Sequence, residues 1–135
     1  MTRRVYYEEL KQLARDVRAE HRLTTPRVQL GDLRRIYRAE GIRIEIWPPP
    51  SVPSRPARLR HLRGAYIDEA PLPPWVMVAR SLPPEPRIFT LAHELKHHLR
   101  DRGRGILHCL GEIGDDVAEI GAEIFAAELI FPDLD

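Results

Sequence analysis

His93-Glu94-Leu95-Lys96-His97 brings together three side chains that can do chemistry as a set when a helix spaces them. Residues four apart share one face of an α-helix, so His93 and His97 can hold one zinc ion while Glu94 reaches the water beside it. The chemistry of such a set is hydrolysis, in which an activated water attacks a carbonyl and the glutamate carries its proton. Two imidazoles do not complete the centre, because a catalytic zinc takes three protein ligands and keeps a fourth position open. Glu119 and Glu123, four apart on a later helical segment, are the leading candidates for the third ligand; His108, Cys109, Asp115 and Asp116 are the others. The carboxylate left off the metal would then accept the outer N–H of a ligating histidine and fix its tautomer.

These residues need two helices and something to hold them apart. Leu10, Leu13, Ala14 and Val17 recur at i, i+3, i+4 and i+7, which predicts an amphipathic helix over about Tyr6 to His21. A second helix carries Leu30, Leu33, Ile36 and Tyr37 and ends at Gly41. Ile42 to Trp47 alternates apolar and polar as a half-buried strand does, and the prolines from Pro48 to Pro56 end it in a basic surface loop. Leu62 to Ile67 and the apolar run Trp75 to Ala79 make two further strands, a small antiparallel or mixed sheet of three in all. The strand at Trp75 is a candidate edge for an extended substrate. The motif helix is expected over about Glu85 to Asp101, followed by a glycine-rich loop and a last helix over about Asp115 to Phe131. At ~100° per residue, Ile88, Leu91, Ala92, Leu95 and Leu99 form the core stripe of the motif helix, which leaves His93 and His97 off the core. Val117, Ile120, Ile124, Ala127 and Phe131 form the expected core stripe of the last helix, with Glu119 and Glu123 at its margin. The fold class is α+β: two N-terminal helices, a three-stranded sheet and two active-site helices, read as a single zincin-like domain over residues 1–135.

Composition excludes several alternatives. Apolar residues make up 43% and charged ones 30%, the balance of a globular chain that buries a core. One cysteine, Cys109, offers neither a disulfide framework nor a cysteine-rich zinc knuckle, and a reducing cytoplasm fits best. The N-terminal stretch has charges where a signal peptide needs apolar residues, and no run approaches a membrane span, so no membrane association is expected. A net charge of +1 conceals two opposed halves: residues 1–63 hold 15 Lys and Arg against 7 Asp and Glu, and residues 64–135 hold 6 against 13. The basic half lacks interleaved stacking aromatics, so direct nucleic-acid binding is not expected, and its charge is read as complementing the acidic half.

Two blocks, Arg87-Ile88-Phe89-Thr90-Leu91-Ala92-His93-Glu94-Leu95-Lys96-His97-His98 and Glu119 through Pro132, about a fifth of the chain, resemble the ImmA/IrrE family of metallopeptidases. The order of helices and strands is similar to that family's catalytic domain. The resemblance implies a gluzincin-like site with His93, His97 and Glu119 as ligands of one zinc per chain and Glu94 as general base. Glu123 stands where the family usually has Asn, and Lys96 where it often has Gly. It also implies a zinc-dependent endopeptidase whose protein substrate is a specific regulator, such as a helix-turn-helix repressor, in a bacterial or phage setting and acting on transcription. His98 and Tyr66 are candidate donors to the transition state. The competing reading is a non-catalytic zinc-containing module that docks on a protein partner; a structural zinc has no use for an acid such as Glu94 beside an open position.

Overall fold

A computed structural model describes residues 2–49, 63–103 and 117–132, and the backbone of 105–109. Helix α1 spans Arg3–Glu20, starting earlier than its apolar spacing suggests because Thr2 caps it, its hydroxyl accepting the Val5 amide at 3.2 Å. The stripe Leu10, Ala14 and Val17 is buried as expected. Helix α2, Leu30–Glu40, is held at its start by Asp32, whose carboxylate accepts the Gln29 amide at 2.8 Å. It ends at Gly41, whose φ of 74° lies in the left-handed region that glycine enters without strain.

Strands β1 (Arg43–Trp47), β2 (Gly64–Asp68) and β3 (Trp75–Ala79) lie where the alternation places them, and β4 (Gly105–Cys109) adds a fourth. The sheet order is β1-β3-β2-β4, with β1 parallel to β3 and the other two pairings antiparallel. β4 falls inside the stretch read as a glycine-rich loop; its register on β2 pairs Tyr66 with Leu107 and Ile67 with Ile106, so a partner strand overrides weak local propensity. β3 is not an edge: β1 and β2 flank it, its ladder is occupied on both sides, and the expectation that it receives an extended substrate is overturned. The proline-rich loop from residue 50 onward lies outside the described residues.

Helix α3, Pro84–Arg100, begins with proline in its first turn, where the missing N–H costs nothing. It is the centre of the fold, touching β2 and β3, α2 and α4. Leu91, Ala92 and Leu95 join Leu33, Ile36, Tyr37, Val76 and Val78 in the core. The Tyr37 hydroxyl donates to the Leu91 carbonyl at 2.6 Å, which satisfies the polar end of a fully buried ring. Helix α4, Val117–Ile130, lies across α1 and α3.

α4 does not bury the face assigned to it from the sequence. Its buried residues are Ala118, Gly121, Ala122, Phe125, Ala126, Glu128, Leu129 and Ile130, while Ala127 and Phe131 are exposed and Val117, Ile120 and Ile124 are half-exposed. The face through Gly121 turns inward because α1 and α3 approach so closely there: a Cβ on Gly121 would stand 2.7 Å from Leu10 Cδ1 and 3.4 Å from Lys96 Cε. Arginines of α1 complete this contact. Arg15 pairs with the buried Glu128 at 3.0 Å, and Arg18 donates to the Leu129 carbonyl at 2.6 Å in the last turn of α4.

A second close approach joins β2 to α3. A Cβ on Gly64 would lie 2.7 Å from Thr90 Cγ2 and 2.8 Å from the Met77 carbonyl oxygen, a backbone atom that cannot swing aside. Gly64→Ala is therefore expected to destabilise the protein by about 1–3 kcal/mol. Urea denaturation checks this, and an unchanged midpoint would contradict the close approach.

Candidate metal centre

The side of α3 opposite its apolar stripe is covered by α4. His93 and His97 are 2% and 0% exposed, so the expectation that they lie off the core is corrected. Helical phase did separate them from the apolar stripe, but a central helix is covered all round, and every residue from Thr90 to His98 is buried.

The two imidazoles converge on one carboxylate. His93 Nε2 lies 2.9 Å from Glu119 Oε2, and His97 Nε2 lies 3.0 Å from Glu119 Oε1. One atom from each of these three residues lies within 4.8 Å of the others, an arrangement that could hold a metal ion and that fits the zincin-like pattern. The other ring nitrogens face away from this point and are separately engaged. His93 Nδ1 is 2.9 Å from Glu123 Oε1, and His97 Nδ1 is 2.8 Å from Asp101 Oδ2. Glu123 thus sits behind a histidine rather than between the two. Of the other candidates, the side chains of His108 and Cys109 and all of Asp115 and Asp116 lie outside the described residues.

The field of this cluster attracts cations. Burial works against a proton on His93, yet its bonds to Glu119 and Glu123 outweigh that and push its pKa up to about 9. Burial likewise opposes protonation of His97, and the carboxylates of Asp101 and Glu119 raise its pKa nonetheless. Burial would raise Glu119, but the two imidazoles pull it down to about 2. A divalent cation between these nitrogens and that carboxylate is favoured by the same field.

Glu94 is the exception among these acids. It is fully buried, and neither of its oxygens has a hydrogen-bond partner among the described residues. Burial pushes its pKa up to about 7, with the neighbouring histidines only partly opposing this. The Cβ position of Gly64 is 3.7 Å from Glu94 Oε1, so strand β2 borders the carboxylate without a side chain to cover it. A buried carboxylate without a protein donor costs several kcal/mol unless a cation or a bound water faces it. Together with His97 Nε2, which is buried and makes no well-directed hydrogen bond, it shows that the residues present fit a metal with a reacting water.

The sequence motif gave no hint of the role of Lys96 and Asp101. Lys96 is 0% exposed; its ammonium donates to Asp101 Oδ2 at 2.7 Å and to the Ala118 carbonyl at 2.9 Å, and lies 5.7 Å from the centre of the Tyr6 ring. Burial would raise the pKa of Asp101, but His97 and Lys96 hold it below the usual carboxylate range. One ammonium therefore grips the acid behind His97 and the backbone of the residue before Glu119. Their spacing, Lys96 to Asp101, is one turn past the motif and carries no periodic signal. Tyr66 and His98, the candidate donors, are bonded to each other, Tyr66 Oη to His98 Nδ1 at 3.0 Å, and His98 Nε2 faces Glu40 at 3.6 Å. His98 has its pKa lowered, by burial first and by Arg102 next.

The family model for the peptidase M78 family, IrrE N-terminal-like domain, matches residues 40–135, and the chain belongs to that family. The matched span takes in α3, α4 and the whole sheet, and membership carries a metallopeptidase function. Comparisons with curated proteins and with solved structures return no match. No helix among the described residues is long and apolar enough to cross a membrane.

Lys96→Met, which keeps the stem but removes the charge, leaves Asp101 buried beside a lost partner. Loss of about 3–5 kcal/mol of stability is expected. Denaturant unfolding of Lys96→Met checks it; a loss under about 1 kcal/mol would mean that the pair is not a buried ion pair in solution.

Proposed function

We propose that the domain is a zinc-dependent endopeptidase in which His93, His97 and Glu119 hold the metal and Glu94 is the general base. The observation that carries this reading is the convergence of His93 Nε2, His97 Nε2 and the Glu119 carboxylate on one point, beside a buried Glu94 with no hydrogen-bond partner among the described residues. Two nitrogens and a carboxylate oxygen are a donor set that suits zinc. When bound there, zinc acts as a Lewis acid toward the scissile carbonyl and acidifies the attacking water.

The chain's own groups do the rest. Glu123 and Asp101 accept the Nδ1 hydrogens of His93 and His97, which fixes the tautomer that leaves each Nε2 unprotonated toward the metal. Glu94 accepts the water's proton and passes it to the departing amine nitrogen. Gly64 lets strand β2 pass close to Thr90 and to the Glu94 carboxylate, where a side chain would collide. Lys96 holds Asp101 in place and so acts on His97 from behind.

The family resemblance supports a regulatory protein, such as a helix-turn-helix repressor, as substrate, in a bacterial or phage cytoplasm. The reading as a non-catalytic docking module lacks a use for Glu94, whose burial without a partner among the described residues is a cost that a purely structural zinc does not require.

The wild-type chain is expected to bind one zinc equivalent and to cleave a candidate repressor. Glu94→Gln should retain zinc and lose at least about a hundredfold in cleavage rate. Zinc titration together with a cleavage assay tests this; full activity in the mutant excludes the mechanism. Glu119→Gln is expected to abolish stoichiometric zinc binding, whereas Glu123→Gln weakens zinc affinity by about 10–100-fold. Competition with a chromophoric chelator separates the two, and the opposite ranking would exchange their roles.

A further inference from the structure

A cavity of about 730 Å³ opens between the first turns of α3 and the last turn of α4, lined by Val28, Ile88, Phe89, Ile130 and Phe131, with Arg63 at its edge. Three connections tie it to the candidate centre. Phe89 lies one turn before His93 on the same face of α3, about 6 Å along the axis. Ile130 lies two turns after Glu123 on the same face of α4, about 10 Å along it. Arg63 directly precedes Gly64, whose Cβ position is 3.7 Å from Glu94 Oε1.

Exposure points the same way. His93 and His97 are buried at 2% and 0%, whereas Glu123, on the α4 face that carries Ile130, is the most open of the four groups at 28%. α4 runs antiparallel to α3, because Glu119 meets both histidines, Glu123 meets His93, and Ile130 shares the cavity with Phe89. The cavity therefore lies beyond the Glu123 end of the α3/α4 contact, one turn of α3 from His93, and His93, Glu94, Glu119 and Glu123 are not among its lining residues.

We infer that this cavity is the substrate subsite next to the scissile bond and takes a large aliphatic or aromatic side chain; the inference rests on the peptidase reading above. Its walls are apolar except for charges at the rim, where Arg27 is paired with Glu85 at 2.7 Å and Arg63 adds a positive charge. Apolar walls reward burial of an apolar side chain, and the arginines disfavour Lys or Arg in the same place. The volume lies within the range of ligand clefts and exceeds what one side chain needs, which leaves room for the flanking backbone.

Two measurements on the zinc-supplemented full chain test the subsite. The first is chemical-shift mapping with N-acetyl-leucinamide, N-acetyl-phenylalaninamide and N-acetyl-lysinamide as probes. The two apolar amides are expected to shift signals of Ile88, Phe89 and Ile130, and the lysine amide is not. Phe131 is 74% exposed, so Phe131→Ala keeps the fold and should weaken apolar-amide binding by about tenfold. The second is digestion of a randomised peptide library, where cuts should fall next to Leu, Ile, Met or Phe and the preference should fade in Phe131→Ala. Apolar amides bound in the cavity without any digestion, of the library or of a candidate repressor, would refute the peptidase reading and with it the subsite, leaving only an apolar pocket. Digestion without apolar preference, or shifts equal for the lysine amide, would overturn the subsite and leave the peptidase reading standing. Absence of any shift at these residues would also overturn it.

Discussion

The packing of α4 against α3 brings a carboxylate onto two imidazoles in a space from which water is largely excluded, and the rest of the structure depends on that contact. Charged groups are tolerated there only when each has a partner, since an unpaired buried ion costs several kcal/mol. Glu119 answers His93 and His97, Glu123 answers His93 from behind, and Asp101 answers His97. Glu94 alone lacks a donor among the described residues, and it is the one whose pKa is pushed up to about 7. The fold thus concentrates its electrostatic strain on a single acid, the one proposed as general base.

Such a contact requires closeness, and small residues provide it. Ala118, Gly121 and Ala122 let α4 settle against α1 and α3, and Gly64 lets β2 settle against Thr90 and Glu94. The opposed charges of the two halves of the chain serve the same end. Arg15 and Arg18 on α1 bind Glu128 and the Leu129 carbonyl of α4. A buried cation so near a candidate metal position needs compensation. Lys96 finds it in Asp101, the Ala118 carbonyl and the Tyr6 ring, so its charge stabilises the acid behind His97 instead of repelling a metal in front of it.

Local signals in the sequence were sufficient for the helices α1 to α3, for β1 to β3 and for the pairing of the His-Glu motif with a distant glutamate. Periodicity reports which residues share a face, and it separated His93 and His97 from Leu91 and Leu95 correctly. It does not report how many neighbours a helix has, which is why those histidines turned out to be buried. α4 shows the same limit more strongly. Ile120 and Ile124, expected inward, are half-exposed, while Phe125 and Leu129 are buried with Ala118, Gly121 and Ala122, because the close approach at Gly121 sets which face of α4 turns inward. β4 exists through its pairing with β2, and Lys96 and Asp101 are linked by tertiary placement alone. The choice between Glu119 and Glu123 was likewise open, since both lie on one helix face and only the register of α4 on α3 separates them.

The ligand set is most directly tested by crystals grown with zinc and measured on both sides of the zinc absorption edge. The account predicts one anomalous peak about 2.0–2.2 Å from His93 Nε2, His97 Nε2 and a Glu119 oxygen, with Glu123 remaining on His93 Nδ1. A zinc ion bound by Glu123, or seated on either Nδ1, would contradict it.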